Sequence, residues 1–358
     1  MCKYHAVKRF SKCAKVLSSK LCDAWYNMIY KSTKATEKPL VSVTVCSYNQ
    51  ERYILECAES VLAQTYSPLE IIFSDDGSSD RTANIIESCL GRYKGNHSVV
   101  FLRHPHNLGG KGKENFLASY QKSSGRFVIQ FCADDVMLPT MVEKMAEAWI
   151  TKQVSMVTVN ADYIDQESRL LGRRFRDPNK TPEISLEAIA RDGVNDAVFG
   201  AGMGCSRELL EYFDYAGNAL PSHLGAADIM LTFYACLLNG CEVIGTPLMK
   251  YRFHGQQGSS SIAIELAESE LQKLVLEEKN WAGHLAHAIF MREILDQYVA
   301  KDPVRFAPIN KRIEQLLVHQ VVMMSTRLVN VRKQLFYKHK IAEIQPSLPE
   351  SEFKGGRL

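Results

Sequence analysis

The chain has 358 residues, 46% of them hydrophobic, and a net charge of +3. That allows one large domain with appendages, or two domains, and is too close to charge balance to suggest a nucleic-acid partner. Ten cysteines are scattered without a CxxC pair, no run of eighteen apolar residues exists, and the N-terminus lacks a continuous apolar signal segment; the expectation is a cytoplasmic protein with reduced thiols, no transmembrane helix and no secretory signal.

The charge is unevenly placed. Residues 1–38 hold nine Lys/Arg against only Asp23 and Glu37. Between residues 11 and 30, Ala14, Leu17, Leu21, Trp25 and Met28 recur at three- and four-residue spacing, with Lys12, Lys15 and Lys20 mainly off that stripe. This predicts a basic amphipathic helix. Such a helix suits peripheral contact with an anionic membrane, here the inner face of the cell membrane, or docking on its own domain or on a second copy in a homodimer. A polar linker, Lys31 to Pro39, follows.

From Leu40 the pattern becomes strand–helix alternation. Leu40–Cys46 is rich in β-branched residues and reads as a strand; Ser47–Gln50 reads as a turn, and Ile54, Ala58, Val61 and Leu62 mark a helix over residues 51–64. Leu69–Ser74 is a second strand, ending in Asp75-Asp76-Gly77-Ser78-Ser79-Asp80, with a helix after it; Val99–Leu102 is a third. The loop His106–Lys113 is glycine-rich but lacks a strand–GxGxxG–helix frame and has no Lys-Ser/Thr after its glycines, so it is neither a dinucleotide fingerprint nor a P-loop. Glu114–Lys122 is helical. The alternation implies an α/β protein with a largely parallel sheet and crossover helices.

The apolar run from Val128 ends abruptly at Asp134 and Asp135, and Pro139 then opens a helical pattern, Met141–Trp149. The two carboxylates therefore sit at the carboxyl end of a strand, where open α/β sheets place their ligands. Adjacent carboxylates repel unless a cation or hydrogen bonds hold them, and a hard divalent cation takes phosphate as its usual further ligand. Read alone, Asp135 is equally a cap of the following helix. The acidic ends at Asp75/Asp76 and at Asp134/Asp135 converge on one sheet edge. A ligand gripped there by carboxylates and a metal suits a nucleotide diphosphate.

Three ordered stretches resemble glycosyltransferase family 2. The run VSVTVCSYNQERYILECAESVLAQTYSPLEIIFSDDGSSDRT is similar to the family's opening. HNLGGKGKENFLASYQKSSGRFVIQFCADDVMLP is close to its Asn-x-Gly, Gly-(Asp/Glu)-Tyr and DxDD pattern. GAADIMLTFYACLLNGCEVIGTPLMKYRFHGQQGS resembles its third signature, an acid before a helix followed by a Tyr-Arg-x-His strand. The resemblance spans about residues 40 to 260. It implies the GT-A fold over residues 39–260, with the basic helix and linker of residues 1–38 before it, a helical region at 261–345 and a tail at 346–358.

The resemblance also implies roles. Cys46, Tyr48, Asp75, Asp76, Lys111, Lys113 and Asp134 would line the donor nucleotide, with Tyr48 by the base and Asp76, together with Asp75, hydrogen-bonded to it. Asp135 would be the principal ligand of Mn2+ or Mg2+, with Asp134 on ribose or metal and His254 reaching the metal or diphosphate. Asp228 would be the catalytic base that deprotonates the acceptor hydroxyl. Plainer readings stand beside these: an Asx-turn for Asp75 or Asp76, solvated loop lysines for Lys111 and Lys113, a structural histidine at 254, and for Asp228 the N-cap of a helix Ile229–Leu238. Two positions depart from the family. Cys132 stands where the first DxDD acid would be, and a thiol is a poor ligand for Mg2+ or Mn2+; Ala227 replaces the first acid of the usual Glu-Asp pair.

Gly200-Ala201-Gly202-Met203-Gly204 reads as close-packed backbone rather than a cofactor loop, and residues 262–300 and 309–340 read as charged helices, acidic at 265–278 and basic at 311–340. The functional expectation is an inverting, metal-dependent glycosyltransferase that takes its sugar from a UDP- or dTDP-sugar. The acceptor would be a hydroxyl of a cell-surface glycan precursor or lipid-linked saccharide. The rivals are a nucleotidyltransferase, which would more naturally carry a Gly/Lys-rich loop at residues 46–52, and a sugar-nucleotide-binding scaffold that has lost catalysis, for which Cys132 and Ala227 argue.

Overall fold

The computed structural model describes residues 38–109, 112–180, 182, 184–192, 198, 200–212, 227–254, 267, 269–301 and 303–344. The predicted basic helix of residues 11–30 and Lys111 lie outside them. From Leu40 onward the chain forms one compact unit.

The first half builds as its pattern suggests. β1 (Val41–Ser47) carries Val41, Val43 and Val45 on one face and Ser42 and Thr44 on the other, all fully buried, as a central parallel strand covered on both sides requires. β2 (Leu69–Asp75), β3 (Ser98–Arg103) and β4 (Phe127–Cys132) join it in the order β3-β2-β1-β4, all parallel. Crossovers run through α1 (Ile54–Leu62), α2 (Thr82–Arg92) and α3 (Lys113–Lys122). In α1, Ile54, Cys57, Ala58 and Val61 fall on one face and pack into the core beneath β1, β2 and β4. Full burial of each Val, Ile or Phe side chain in this cluster contributes about 1.5–3 kcal/mol.

The second half mixes strand directions within the largely parallel sheet. After a short β5 (Val136–Met137), α4 (Met141–Lys152) begins two residues beyond Pro139, with Thr140 at its N-cap position; neither Pro139 nor Asp135 caps it. β6 (Met156–Ile164), β7 (Leu170–Arg174), β8 (Met203–Ser206) and β9 (Cys241–Arg252) extend the sheet in the order β4-β8-β6-β9-β5, with β7 hairpinned on β6. β8 lies antiparallel between β4 and β6, whereas β6 and β9 are parallel. The glycines of residues 200–204 explain how β8 enters. A Cβ on Gly204 would stand 2.5 Å from the Phe127 ring, so only bare backbone fits against β4.

Between β7 and β9 lie α5 (Leu186–Asp192), α6 (Arg207–Tyr212) and α7 (Ala227–Leu238). Of the C-terminal helices, α8 spans Glu270–Lys301, shorter than the expected 262–300, and α9 spans Pro303–Ile344, longer than the expected 309–340. Met291, Leu295, Phe306, Ile313 and Leu317 from these helices share a core with Met230, Leu231 and Phe233 of α7 and Met203 of β8. The helical region is thus packed into the same unit as the sheet. Among the described residues no helix is long and apolar enough to cross a membrane.

Candidate active site

The carboxyl ends of β1, β2 and β4 line up in register: Ser47 pairs with Asp75, and Cys46 with both Ser74 and Cys132. The loops leaving these ends are tied to one another. Asn49, at a left-handed φ of 52°, accepts from the Ser79 N–H through Oδ1 (2.9 Å) and donates its own N–H to Ser78 Oγ (2.9 Å). The Gln50 N–H donates to Thr82 Oγ1 (2.7 Å) and the Glu51 N–H to Asp80 Oδ2 (3.1 Å). The exposed ring of Tyr48 projects from this platform.

The two acids at the end of β2 have different tasks. Asp75 is buried, and its carboxylate accepts from Ser47 Oγ (3.0 Å), Ser78 Oγ (2.6 Å) and the Ser78 N–H (2.9 Å), a bond three residues on rather than the two of an Asx-turn. Asp76 reaches across to the loop after β3, accepting from the Leu108 N–H (2.7 Å) and Asn107 Nδ2 (3.1 Å). Lys113 opens α3 just after Gly112, whose φ of 87° places it in the left-handed region. Cys46 faces α3, its thiol 3.9 Å from Ser119 Oγ; burial pushes its pKa up to about 12. Asn115 holds the end of β2 from the same helix, donating to Ser74 O (3.0 Å) and accepting from Ser74 Oγ (2.5 Å).

The strongest electrostatic feature is the turn after β4. Asp135 is fully buried; its Oδ1 accepts the Arg252 N–H (2.9 Å), and its Oδ2, also buried, has no hydrogen-bond partner among the described residues. Burial first, and then the charge of Asp134, hold its carboxyl well above the usual carboxylate range. Asp134 lies nearer the surface, and His254 Nε2 stands 2.9 Å from its Oδ2. Ligand atoms of Cys132, Asp134 and Asp135 all lie within 4.8 Å of one another. A bare buried carboxylate oxygen beside a second carboxylate is costly unless a cation takes it. These residues therefore fit a divalent cation held by Asp134 and Asp135. The His254 ring nitrogen stands in hydrogen-bond contact with Asp134, one of these two carboxylates.

Arg252 locks this turn and was given no role in the sequence reading. Its side chain is 1% exposed, donating from Nε to Asp134 O (2.8 Å), from Nη1 to Asp165 O (3.1 Å) and Ser168 Oγ (2.9 Å), and from Nη2 to Glu56 Oε2 (2.6 Å). The guanidinium also sits 4.7 Å over the Tyr53 ring, which in turn lies 5.2 Å from the His254 ring. Arg252 was visible in the Tyr-Arg-x-His signature, but Glu56 carried no signal, being one acid on an amphipathic helix. Beside this network opens a cavity of about 460 Å3 lined by Asn49 to Tyr53, Gln166 and His254.

Asp228 stands in the first turn of α7, which begins at Ala227, so it is inside the helix rather than its N-cap. Its Oδ1 accepts the Ile229 N–H (3.0 Å), and burial raises its pKa above the ordinary value near 3.8. A Cβ on Gly200 would fall 2.4 Å from Asp228 Oδ2, so the carboxylate packs directly on that glycine. Gln130 pairs with Met203 in the antiparallel β4–β8 ladder, and Gly200–Gly202, which touches β4, continues toward its carboxyl end. Asp228 therefore packs on the segment that runs toward the carboxyl end of β4, although it lies nearly a hundred residues beyond Asp134 and Asp135 in the chain.

An α/β sheet that gathers nucleotide-type loops and a carboxylate pair suited to a cation on one edge is of the GT-A glycosyltransferase type. Residues 42–213 match the model of Glycosyl transferase family 2. The chain is 28% identical over 232 residues to an uncharacterized glycosyltransferase of Nostoc sp., covering 64% of this chain and 70% of that protein. To chondroitin synthase of Escherichia coli it is 31% identical over 170 residues, 46% of this chain and 24% of the synthase. Among solved structures, S. aureus TarS residues 1-349 in complex with UDP-GlcNAc aligns with 82% of this chain and 92% of that chain at TM-score 0.49 and 18% identity. The mannosyltransferase PcManGT from Pyrobaculum calidifontis, in complex with GDP-Man and Mn2+, covers 89% and 94% at TM-score 0.48 and 16% identity.

Proposed function

We propose that this glycosyltransferase is inverting and metal-dependent, and that it moves a sugar from a nucleoside diphosphate donor of the uridine or deoxythymidine type to a hydroxyl of a saccharide acceptor. The observation that carries the reading is the buried Oδ2 of Asp135, without a hydrogen-bond partner among the described residues, beside Asp134.

Asp76 secures the loop after β3 against the β2 end, so the nucleoside would lie between that loop and Tyr48, with Lys113 at the mouth of α3. Asp134 and Asp135 would hold the cation, with His254 and Arg252 fixing their orientation. A bound Mn2+ or Mg2+ would supply Lewis-acid stabilisation of the departing diphosphate. Asp228 takes the proton of the acceptor hydroxyl as that oxygen bonds to the anomeric carbon from the face opposite the leaving group, and the anomeric configuration inverts. A buried carboxylate with a raised pKa is a stronger base than an exposed one, and the raised value moves it toward the pH at which the enzyme works. A glycan precursor or lipid-linked saccharide as acceptor agrees with the similarity to a chondroitin synthase. The basic N-terminal segment would hold the enzyme at the anionic membrane surface where such acceptors lie.

The test is calorimetric titration of UDP with and without Mn2+ for the wild type and Asp135→Asn. The reading requires Mn2+-dependent binding that falls at least about tenfold in the variant. Unchanged UDP affinity in Mn2+ would refute the metal assignment. A screen of nucleotide sugars for donor hydrolysis then separates a working transferase from a binding scaffold.

A further inference from the structure

Cys132 occupies the position where the family carries the first acid of its motif, and its thiol does not turn away. Its Sγ belongs with the carboxylate oxygens of Asp134 and Asp135 to one cluster whose members are all within 4.8 Å of each other. The turn that gathers them is rigid: the Asp135 N–H donates to Cys132 O (3.3 Å), Cys57 Sγ donates to the same carbonyl (3.5 Å), and Arg252 clamps Asp134 O. A second observation points at a ligand independently of the thiol: Asp135 is 0% exposed, and its Oδ2 has no partner among the described residues.

We infer that Cys132 is a metal ligand alongside Asp134 and Asp135, and that the centre therefore selects a borderline divalent cation of the Zn2+ or Co2+ class over Mg2+ and Mn2+. This rests on the proposed reading of Asp134 and Asp135 as the cation site. Thiolate sulfur favours the softer ions, whereas carboxylate and water suit Mg2+ and Mn2+. Zinc takes sulfur at about 2.3 Å and carboxylate oxygen at about 2.0–2.2 Å, which places tetrahedral S and O ligands about 3.6 Å apart. Asp134, whose side chain is 17% exposed where Asp135 is fully buried, has room to rotate toward the sulfur and close the difference. His254 then keeps the role the structure gives it, a hydrogen-bonded support of a ligating carboxylate. Three protein ligands with one open position is also the composition of catalytic zinc sites, and the open position would admit a diphosphate oxygen. The substitution of acid by thiol thus changes which ion the enzyme takes rather than abolishing binding.

The experiment uses the full-length protein, reduced with a thiol-free reductant and titrated with Co2+. Thiolate-to-cobalt charge-transfer absorption in the near ultraviolet reports sulfur ligation without reference to activity. The expected result is a band that saturates near one equivalent, disappears in Cys132→Ser and in Asp135→Asn, and persists in Cys57→Ser. Zn2+ should displace Mn2+ with a preference that falls more than about tenfold in Cys132→Asp, which restores the oxygen-only set. Far-ultraviolet circular dichroism and a thermal midpoint accompany each variant; should Cys132→Asp not fold, the conservative Cys132→Ser carries the test. Co2+ binding without the band, or a band that survives in Cys132→Ser, overturns the inference and leaves the Asp134/Asp135 centre standing. Binding of Co2+, Zn2+ and Mn2+ no tighter than in Asp135→Asn overturns both.

Discussion

Asp228→Asn separates the catalytic and structural readings of one side chain. The amide is the same size as the carboxylate and its Oδ1 still accepts the Ile229 N–H, so the first turn of α7 keeps its hydrogen bond. What it loses is the ability to take a proton. Loss of general base catalysis costs roughly 10²–10⁴ in turnover, or about 2.7–5.4 kcal/mol of barrier, while donor binding at the β1, β2 and β4 ends is untouched. Stability moves the other way. Burial raises the folded-state pKa of Asp228 above 3.8, so the folded protein retains this proton over a range where the unfolded chain has released it. The contribution is fully present below the unfolded pKa and is lost as pH rises through the folded one, which leaves a buried charge as a cost at neutral pH. Asn removes that cost, and the variant should melt no lower than wild type at neutral pH. Single-turnover transfer rates and melting curves across pH measure both. The acidic limb of the wild-type rate profile should lie above the ordinary carboxylate value and vanish in the variant. Transfer by the Asn variant within about threefold of wild type, a small fraction of the general-base factor, would refute Asp228 as the base.

Other consequences follow from the same geometry. Gly200→Ala would push a methyl group to within 2.4 Å of Asp228 Oδ2, so turnover should fall roughly 10- to 100-fold with nucleotide affinity retained; unchanged turnover would mean that the carboxylate does not act from this position. Arg252→Met strips donors from Asp134 O, Asp165 O and Glu56, and urea unfolding should show a loss of about 2–4 kcal/mol; a loss under about 1 kcal/mol would show that the clamp is dispensable. Deleting residues 1–36 should weaken binding to anionic liposomes, most visibly at low salt; equal binding by the truncated chain would exclude that segment as the anchor.

The first half of the fold could be read along the chain because its signals are local. β-Branched strands such as Val41–Cys46, helices with one apolar face such as Ile54–Leu62, and acids at strand ends each declare themselves within a dozen residues. Strand ends on one edge of a parallel sheet must converge, so Asp75, Asp76, Asp134 and Asp135 could be assigned to one site before any coordinates. Which of them is committed to the protein and which is left for a ligand could not, because that depends on partners from elsewhere. Ser47 and Ser78 consume Asp75, whereas Asp135 keeps one oxygen bare.

The second half was decided by tertiary structure. Nothing near residue 203 announces that β8 will insert antiparallel between β4 and β6. The cause is steric: Gly204 alone admits the Phe127 ring at contact distance, and Gly200 alone leaves room for Asp228. The same holds for the buried Arg252, whose hydrogen-bond partners outside its own strand include residues 56, 134, 135, 165 and 168. The sequence by itself determined the chemistry available, namely carboxylates, a thiol in place of an acid, and a nucleotide-type sheet edge. Only the folded chain decided which oxygen is unsatisfied, which carboxylate is desolvated and which sulfur stands beside them, because burial and hydrogen-bond pairing depend on residues far apart in sequence.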